Sequence, residues 1–257
     1  MALFDQATEK SAGGNGQKME APLLEAGGYP AVLIRIVDLG LQPGSTQYPD
    51  PQYKMALVFE CLDEFMVDEN GKELLDVPRE FDYEISYNAD GYMSTKSKIH
   101  GVMTALEGFN KPLKDLLGSV CTIALVTKAT KADANKKYNA ITGVTAMREK
   151  DRSKYQGPFK LEQWMFSLDK TVTKEDFEKQ SSRGGQYSQQ SKIKQALNLL
   201  EDAPQLAAAL GVTAIPDVPA PEAPSDADLA KSDAEVEAAL GGGVPPEADE
   251  AEVDPFA

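Results

Sequence analysis

A chain of 257 residues with 42% hydrophobic and only 7% aromatic residues is long enough for one medium-sized domain with unstructured ends. No apolar run approaches the roughly 18 residues that a membrane-spanning helix needs, and the two cysteines, Cys61 and Cys121, are too few for a disulfide framework. The net charge of −15 is unevenly distributed. Residues 1–89 contain sixteen acids and six bases, residues 90–200 contain eleven acids and nineteen bases, and residues 201–257 contain fourteen acids and one base. A polyanion would therefore contact the basic middle of the chain.

The first 87 residues predict an arm and three strands. Residues 1–26 are small and polar and predict a flexible arm. In residues 29–39, Val32, Ile34 and Ile36 fall on one face and Tyr29, Leu33 and Arg35 on the other, which predicts a strand whose Arg35 faces outward. Residues 52–62 and 79–87 predict two more strands, and in the second of these Phe81, Tyr83, Ile85 and Tyr87 face inward and alternate with acidic residues. The outer face of the third strand is acidic and would repel a phosphate chain.

A helix is predicted after the third strand. Ile99, Val102, Met103 and Leu106 fall at i, i+3, i+4 and i+7, and Ser94 or Thr95 can cap the first turn. The first turn also carries two lysines, where a positive charge opposes the helix dipole. These two lysines are Lys96 and Lys98. They are either solvated surface residues or cations that bind a ligand.

Two β-rich runs, residues 120–126 and 138–145, flank a polar loop with four lysines. These lysines are Lys128, Lys131, Lys136 and Lys137. One interpretation is an ordinary solvated hairpin loop. The other is a mobile, positively charged loop that binds a polyanion, because each lysine near a phosphate releases a condensed counterion.

The order of three strands, a helix and two strands predicts a mainly β fold. We expect a five-stranded OB-fold, a Greek-key barrel with its helix between strands 3 and 4, over residues 27–170. An apolar cluster from Phe159 to Leu168 is expected to cover a barrel end, with Trp164 either in the core or as a stacking platform. Residues 171–202 form a helical extension, which docks on the barrel or on a second protomer as a homodimer. Residues 203–257 form a disordered acidic tail.

Two features resemble a known family. The segments Gly28-Tyr29-Pro30-Ala31, Val37-Asp38-Leu39-Gly40 and Ser94-Thr95-Lys96-Ser97-Lys98 are similar to bacteriophage-type OB-fold single-stranded DNA-binding proteins. The end of the chain, Asp254-Pro255-Phe256, resembles the acidic terminus through which such proteins recruit replication and repair enzymes. It departs from the bacterial pattern by ending in Ala257.

The resemblance implies sequence-independent binding of single-stranded DNA in phage replication, recombination and repair, without enzymatic activity, cofactor or metal. Lysines would follow the backbone, and aromatic rings would stack on bases. The charged candidates are Arg35, Lys96, Lys98, Lys128, Lys131, Lys136 and Lys137. The stacking candidates are Tyr29, Tyr53, Tyr92, Tyr138 and Trp164. The partner-binding residues of the tail are Glu252, Asp254, Pro255 and Phe256. We expect a cytoplasmic protein, in the host cell if a phage encodes it, with no membrane contact.

Three alternatives stay open. Asp63, Glu64 and Asp68 could hold Mg²⁺ in a nuclease, although an acidic turn is the commoner arrangement, and no nucleotide-binding, metalloprotease or hydrolase motif is present. A structural scaffold or protein-interaction OB module would need no cationic groove. RNA or duplex DNA could also be the ligand, because OB grooves accept both sugars.

Overall fold

The computed structural model of the protein describes residues 19–44, 49–130, 135–182 and 185–214. The strands are β1 Gly27–Gln42, β2 Gln52–Val67, β3 Glu73–Tyr87, β4 Val120–Ala129, β5 Lys137–Ala146 and β6 Trp164–Phe166. The helices are α1 Lys98–Ala105, α2 Glu149–Arg152, α3 Lys174–Glu178, α4 Gln189–Gln195, α5 Leu199–Asp202 and α6 Pro204–Leu210, with 3₁₀ turns at Leu113–Leu116 and Gly185–Tyr187. All of them belong to one unit, Met1–Pro43 with Pro51–Asp217; of a second unit, Gly44–Asp50 with Val218–Ala257, only Gly44, Pro49 and Asp50 are described.

The sheet has the order β3-β2-β1-β4-β5, in which all neighbours are antiparallel, and β6 adds to β1 in parallel. The predicted mainly β class is confirmed, and α1 lies between the third and fourth strands as expected. The sheet has six strands instead of the predicted five. Among the described residues β3 and β5 form no ladder, so the sheet is not closed.

The inner face of the sheet packs against α1. Phe81, Tyr83 and Ile85 of β3 are buried there, as their alternation with acidic residues predicts. The predicted apolar face of α1 is buried against them, because residues at i, i+3, i+4 and i+7 share one side of a helix. Ser97 caps α1, its hydroxyl accepting from the amide of His100 at 3.3 Å.

A bulge in β1 corrects the predicted alternation. The register against β2 shifts between Leu33 and Arg35, so one residue is unpaired there. Val32 and Ile34 pack on the outer face of the sheet, while Ile36 joins Leu33 in the inner core. The prediction that Val32, Ile34 and Ile36 share a face is therefore wrong for Ile36, because the bulge reverses the phase of the strand.

The outer face of β1 and β2 is covered by the chain that follows β5. Phe166 and Leu168 pack with α3 to α6 on Val37, Leu39 and Ala56. Phe159 packs separately on Val32, Ile34 and Val58. The expected single cluster over a barrel end is thus two clusters on the outer face. They form there because β6 pairs with β1 and carries the chain across the sheet.

The helical extension differs from the single amphipathic helix that the periodicity predicts near residues 188–201. It breaks between α4 and α5 at Ala196, whose ψ of 127° is extended. Ile193 and Leu199 are buried against the sheet of the same chain. The amide of Leu41 donates to Oδ1 of Asn198 at 2.7 Å, which ties the extension to β1. These contacts favour docking on the barrel over the alternative of docking on a second protomer.

The two ends of the described region also differ from expectation. Residues 19–26, the last part of the predicted flexible arm, are attached to the sheet. Glu20 pairs with Val67, and Arg79 donates to the carbonyl of Pro22 at 2.6 Å. The side chain of Asn139 bonds both backbone groups of Leu24. At the other end, α6 lies beyond the boundary at residue 202. Residues 1–18 and 215–257, with most of the arm and tail, lie outside the described residues. In the described segments, no helix is long and apolar enough to cross a membrane.

Candidate nucleic-acid interface

The end of the β4–β5 hairpin carries the first group of predicted cations. The ladder between the strands continues to the pair of Ala129 and Lys137. Lys128 and Lys137 therefore lie in strands and not in the loop, contrary to the prediction, because backbone pairing continues after the apolar pattern has ended. Lys131 lies outside the described residues.

The register of the hairpin decides which way its side chains point. Lys128 is opposite Tyr138, and Ala129 is opposite Lys137. Because consecutive pairs alternate between the two faces, Lys128 and Tyr138 share one face and Lys137 projects from the other. Lys128, Lys136 and Lys137 are exposed, and none of them forms an ion pair within the part of the chain that the structure describes.

A groove of about 660 Å³ lies between β3 and β5 and is lined by both strands. Lys137 and Tyr138 line its β5 side, and Tyr138 is 46% exposed. The β3 side carries Glu80 and Asp82, and their negative charges disfavour a phosphate on that side. The groove also contains Arg35, Arg79 and Lys179, so it carries both signs of charge. Of these cations, Arg35 and Lys179 are ion-paired with Glu80 and Asp176.

Arg35 is not the free outward cation that the strand pattern predicts. Its guanidinium is ion-paired with Glu80 and lies 5.9 Å from the centroid of the Trp164 ring. Desolvation by burial lowers the pKa of Arg35, while the charge of Asp82 acts in the opposite direction. Since its donors already face a carboxylate and an aromatic ring, Arg35 is a poor phosphate ligand in this conformation.

The acidic outer face of β3 is compensated by other charges as well. Glu84 is ion-paired with Lys192 of α4 and with Lys54, the latter at 3.1 Å. Desolvation acts to raise the pKa of Glu84, but the two lysines outweigh it and the pKa is lowered. Asp82 accepts from Nε2 of Gln189 at 2.8 Å, and burial raises its pKa. The helical extension, and not a ligand, meets this face.

A second group of predicted residues lies at a cleft of about 680 Å³ between the start of β2, the end of β3 and the 88–97 segment. Tyr53 and Tyr87 form a tilted ring pair there, with centroids 5.6 Å apart. Tyr92 lines the same cleft and is 67% exposed. The structure therefore brings two predicted residues, Tyr53 and Tyr92, to the same cleft, which Tyr87 of β3 also lines.

Lys96 and Lys98 lie beside this cleft. Both are exposed, and both are without an ion pair in the described residues. The Nζ atom of Lys98 lies 5.8 Å from the centroid of the Tyr83 ring, a cation–π contact across the inner edge of β3. Neither lysine lines the cleft, but both adjoin in sequence residues that do, such as Ser97, so they are candidates for binding an anion close to it.

Two of the predicted stacking residues are poorly placed for that role. Tyr29 is half-buried against the inner core, and its hydroxyl donates to the carbonyl of Glu25 at 2.8 Å. Desolvation raises the pKa of Tyr29, with further contributions from nearby acids. Trp164 is half-buried in the outer cluster under Arg35, which agrees with the core alternative and not with the stacking platform.

Sequence reasoning missed three residues of this region. Tyr87 was predicted to face inward only, yet it also lines the cleft. Phe109 is 43% exposed and lines an adjoining cleft together with Lys111. The signal that could have found Phe109 and Lys111 is the turn after α1, where an exposed aromatic residue stands next to Asn110 and a lysine.

The described residues offer little for the nuclease alternative. Asp68 accepts the amides of Asn70 and Lys72, each at 2.9 Å, so it caps the predicted turn. Asp63 accepts the hydroxyl of Tyr155 at 2.6 Å. Within the described residues, no group of three or more His, Cys, Asp or Glu side chains could hold a metal ion. Desolvation raises the pKa of both buried thiols, Cys61 and Cys121, to about 12, which disfavours thiolate chemistry.

The interface thus has two parts, the hairpin end with its unpaired lysines and the cleft with its tyrosines. No protein-family model matches the chain, and no curated protein is significantly similar to it. The resemblance noted from the sequence therefore stays an expectation.

Proposed function

We propose that this protein binds single-stranded DNA independently of sequence, on an OB-fold, in phage DNA replication, recombination and repair. The strand order supports the fold, because β1 lies between β2 and β4, and β3 and β5 line one groove without pairing, as in a partly open Greek-key barrel. The sixth strand is then an addition that anchors the C-terminal extension. Because OB-folds serve several functions, the site has to carry the functional proposal.

One observation carries it: exposed tyrosine rings stand beside lysines that have no carboxylate partner in the described residues. Tyr138 is opposite Lys128 in the β4–β5 ladder and on the same face, and Tyr92 lies close in sequence to Lys96 and Lys98. In a protein with a net charge of −15, lysines usually find acids nearby. Exposed aromatic rings are also costly to leave in water.

The geometry supports a binding mechanism without base-edge readout. The lysines follow the phosphates, which favours any nucleic acid and makes affinity fall with salt. The tyrosines stack on bases, and every base has a π-face, so sequence matters little. Single strands are favoured because stacking needs unpaired bases. The remaining outer face of β3 is occupied by Lys54, Lys192 and Gln189, so the strand would avoid it.

We further propose that the acidic terminus recruits replication and recombination proteins. Its residues Glu252, Asp254, Pro255 and Phe256 lie outside the described residues, and the proposal rests on their sequence. A terminal aromatic residue suits a hydrophobic pocket, and the acids suit a basic rim around it. A host cytoplasmic location belongs to the same proposal. The expected homodimer gains no support from the helical extension, because the extension packs on the sheet of its own chain.

Fluorescence anisotropy tests the binding proposal. A labelled oligo-dT and a matched duplex are titrated with the full chain and with residues 1–214, which keep every described element, at two salt concentrations. We expect salt-sensitive binding to the single strand well above the duplex. Truncation should tighten it, because residues 215–257 carry twelve acids and one base that compete with the phosphates. An absence of binding by both chains would refute the proposal and favour a protein-interaction module.

A further inference from the structure

Two clefts adjoin at the 87–92 stretch. The first is the tyrosine cleft of about 680 Å³, and the second, of about 710 Å³, opens between the same stretch and the turn after α1. Tyr92 lines both of them. At 67% exposure it is the ring that stands between the two spaces. Each volume falls within the range of about 300–1,000 Å³ that small-molecule sites occupy.

Each cleft has its own aromatic wall besides Tyr92. In the first, Tyr53 and Tyr87 form the tilted pair at 5.6 Å. In the second, the rings of His100 and Phe109 form a tilted pair with centroids 5.1 Å apart and planes at 56°. Tyr53 thus lines only the first cleft, His100 and Phe109 line only the second, and Tyr87 and Tyr92 line both.

The backbone under Tyr92 is held by a turn. The amide of Gly91 donates to the carbonyl of Asn88 at 3.0 Å, and Gly91 has a φ of +78° that suits glycine. Nδ2 of Asn88 donates to the carbonyl of Tyr92 at 2.9 Å, and the amide of Tyr92 donates to Oδ1 of Asp90 at 2.9 Å. Both backbone groups of Tyr92 are thus bonded, so its exposure is a built feature of the turn.

The chemistry of the walls indicates which part of a nucleic acid would enter. The first cleft is lined mainly by rings, amides and hydroxyls and also contains the carboxylate of Asp90, which would repel a phosphate, whereas the second adds apolar side chains such as Met93 and Leu113. Lys111 lines the second cleft, and Lys96 and Lys98 are sequence neighbours of residues that line the first. Mostly neutral walls with aromatic rings fit bases inside the clefts, and these lysines fit phosphates outside them.

We propose that Tyr92 is a wedge that separates two consecutive unpaired bases, one bound in each cleft. The first base packs between Tyr92 and the Tyr53 and Tyr87 pair, and the second between Tyr92 and the His100 and Phe109 pair. This inference rests on the proposed function and deepens it, because it assigns a two-base site and adds Phe109 to the binding residues. Side chains that enter between base steps are a known way of unstacking nucleic acids.

A double-mutant cycle on the full chain tests the wedge, with anisotropy of labelled oligo-dT as the readout. Removing a stacked ring is expected to weaken binding about 5-fold to 150-fold per base. Tyr53→Ala and Phe109→Ala should each fall in this range, and their effects should multiply because they act on different bases. Tyr92→Ala should weaken binding more than either, and adding Tyr53→Ala or Phe109→Ala to it should give less than the product. Tyr92→Phe should keep most of the affinity.

Tyr187→Ala is the matched control, because Tyr187 is 64% exposed and lines neither cleft. It should bind like the wild-type chain. Since Tyr53 is half-buried, its variant could lose stability, and then the Tyr92 and Phe109 pair decides the test, because both of these rings are exposed.

Three outcomes would overturn the wedge. If Tyr92→Ala binds as the wild type does, single-strand binding stands but occurs elsewhere. If Phe109→Ala has no effect while Tyr53→Ala does, only one base is held. If the wild-type chain does not bind oligo-dT, the proposed function fails together with the wedge.

Discussion

Neutralising the three lysines of the hairpin end is the sharpest test of the phosphate path. The variant Lys128→Gln, Lys136→Gln and Lys137→Gln removes three exposed cations that form no ion pair in the described residues. Their loss should leave the fold intact, because exposed strand ends and loops tolerate polar substitutions. Any loss of affinity then reports contacts with the nucleic acid.

The expected size follows from counterion release. On a single strand each phosphate contact contributes about −0.7 to the slope of log Kobs against log salt, so three contacts contribute about −2.1. Extrapolated from about 1 M salt, this predicts a loss of about 500-fold at about 50 mM and about 30-fold at about 200 mM. If only one face of the hairpin meets the strand, the slope changes by about 0.7 or 1.4 instead. The single variants Lys128→Gln and Lys137→Gln then show which face it is, because these side chains project from opposite faces.

The assay is anisotropy of labelled oligo-dT at four or more salt concentrations. The control is Lys150→Gln, Lys170→Gln and Lys174→Gln, which makes the same change in net charge at exposed positions outside both clefts and the groove. An unchanged slope in the hairpin variant would refute the phosphate path at this hairpin. An equal fall in the control would show that net charge, and not these contacts, sets the affinity.

Three further predictions concern the fold that carries the site. Gly40→Ala should lower the free energy of unfolding by more than about 1 kcal/mol, measured by urea titration, because φ is +73° there and a Cβ would come 2.7 Å from Oδ1 of Asn198. Gly143→Ala, with open space around it, is its control. Glu60→Ala should cost roughly 2 to 6 kcal/mol by the same titration, since its buried carboxylate accepts two amides and each loses about 1–3 kcal/mol without it; an effect below about 1 kcal/mol would contradict the role. Glu84→Gln should destabilise the fold at neutral pH, and the difference from wild type should shrink as pH falls below about 4.3.

The pH dependence of the Glu84→Gln effect follows from the linkage between proton binding and folding. The pKa of Glu84 is lowered in the folded state, so its ionised form adds stability above the unfolded pKa, and this stability is lost as pH falls through the folded value. Asp82 has the opposite sign, because its raised pKa makes its contribution less favourable as pH rises. The charge of Glu84 itself contributes to the raised pKa of Asp82, so wild type and variant are compared in an Asp82→Asn background. A difference that stays constant down to about pH 2 would contradict the assignment.

Local pattern was enough to predict five of the six strands and the helix between the third and the fourth. The alternation that places Phe81, Tyr83 and Ile85 inside needs only neighbouring residues, and so does the stripe of α1. Local pattern failed at the bulge between Leu33 and Arg35, where one extra residue reverses the inward and outward alternation of β1. A bulge has no fixed sequence signature, so the outer position of Ile34 and the inner position of Ile36 could not both be predicted.

The partners of charged residues were beyond local pattern for a different reason. Arg35 meets Glu80, which is 45 residues away, and Trp164 through the added strand β6. Periodicity predicts which face a residue occupies, but not what covers that face. The predicted Lys98 and Tyr92 are exposed, as the local pattern suggests for the first turn of a helix and for the turn before it.

The covering of the outer face also narrows where a ligand can bind. Val37 and Leu39 are buried under α3 to α6, and Glu84 is paired with Lys192 of α4, so a ligand on this face would have to displace the extension. Displacement exposes an apolar cluster at about 25 cal/mol per Å², which a solvated polyanion does not replace. Among the described residues, no such packed extension covers the hairpin end or the two clefts that Tyr92 lines. The same C-terminal packing that stabilises β1 therefore directs the proposed DNA strand to the tyrosines of the clefts and to the lysines of the hairpin end.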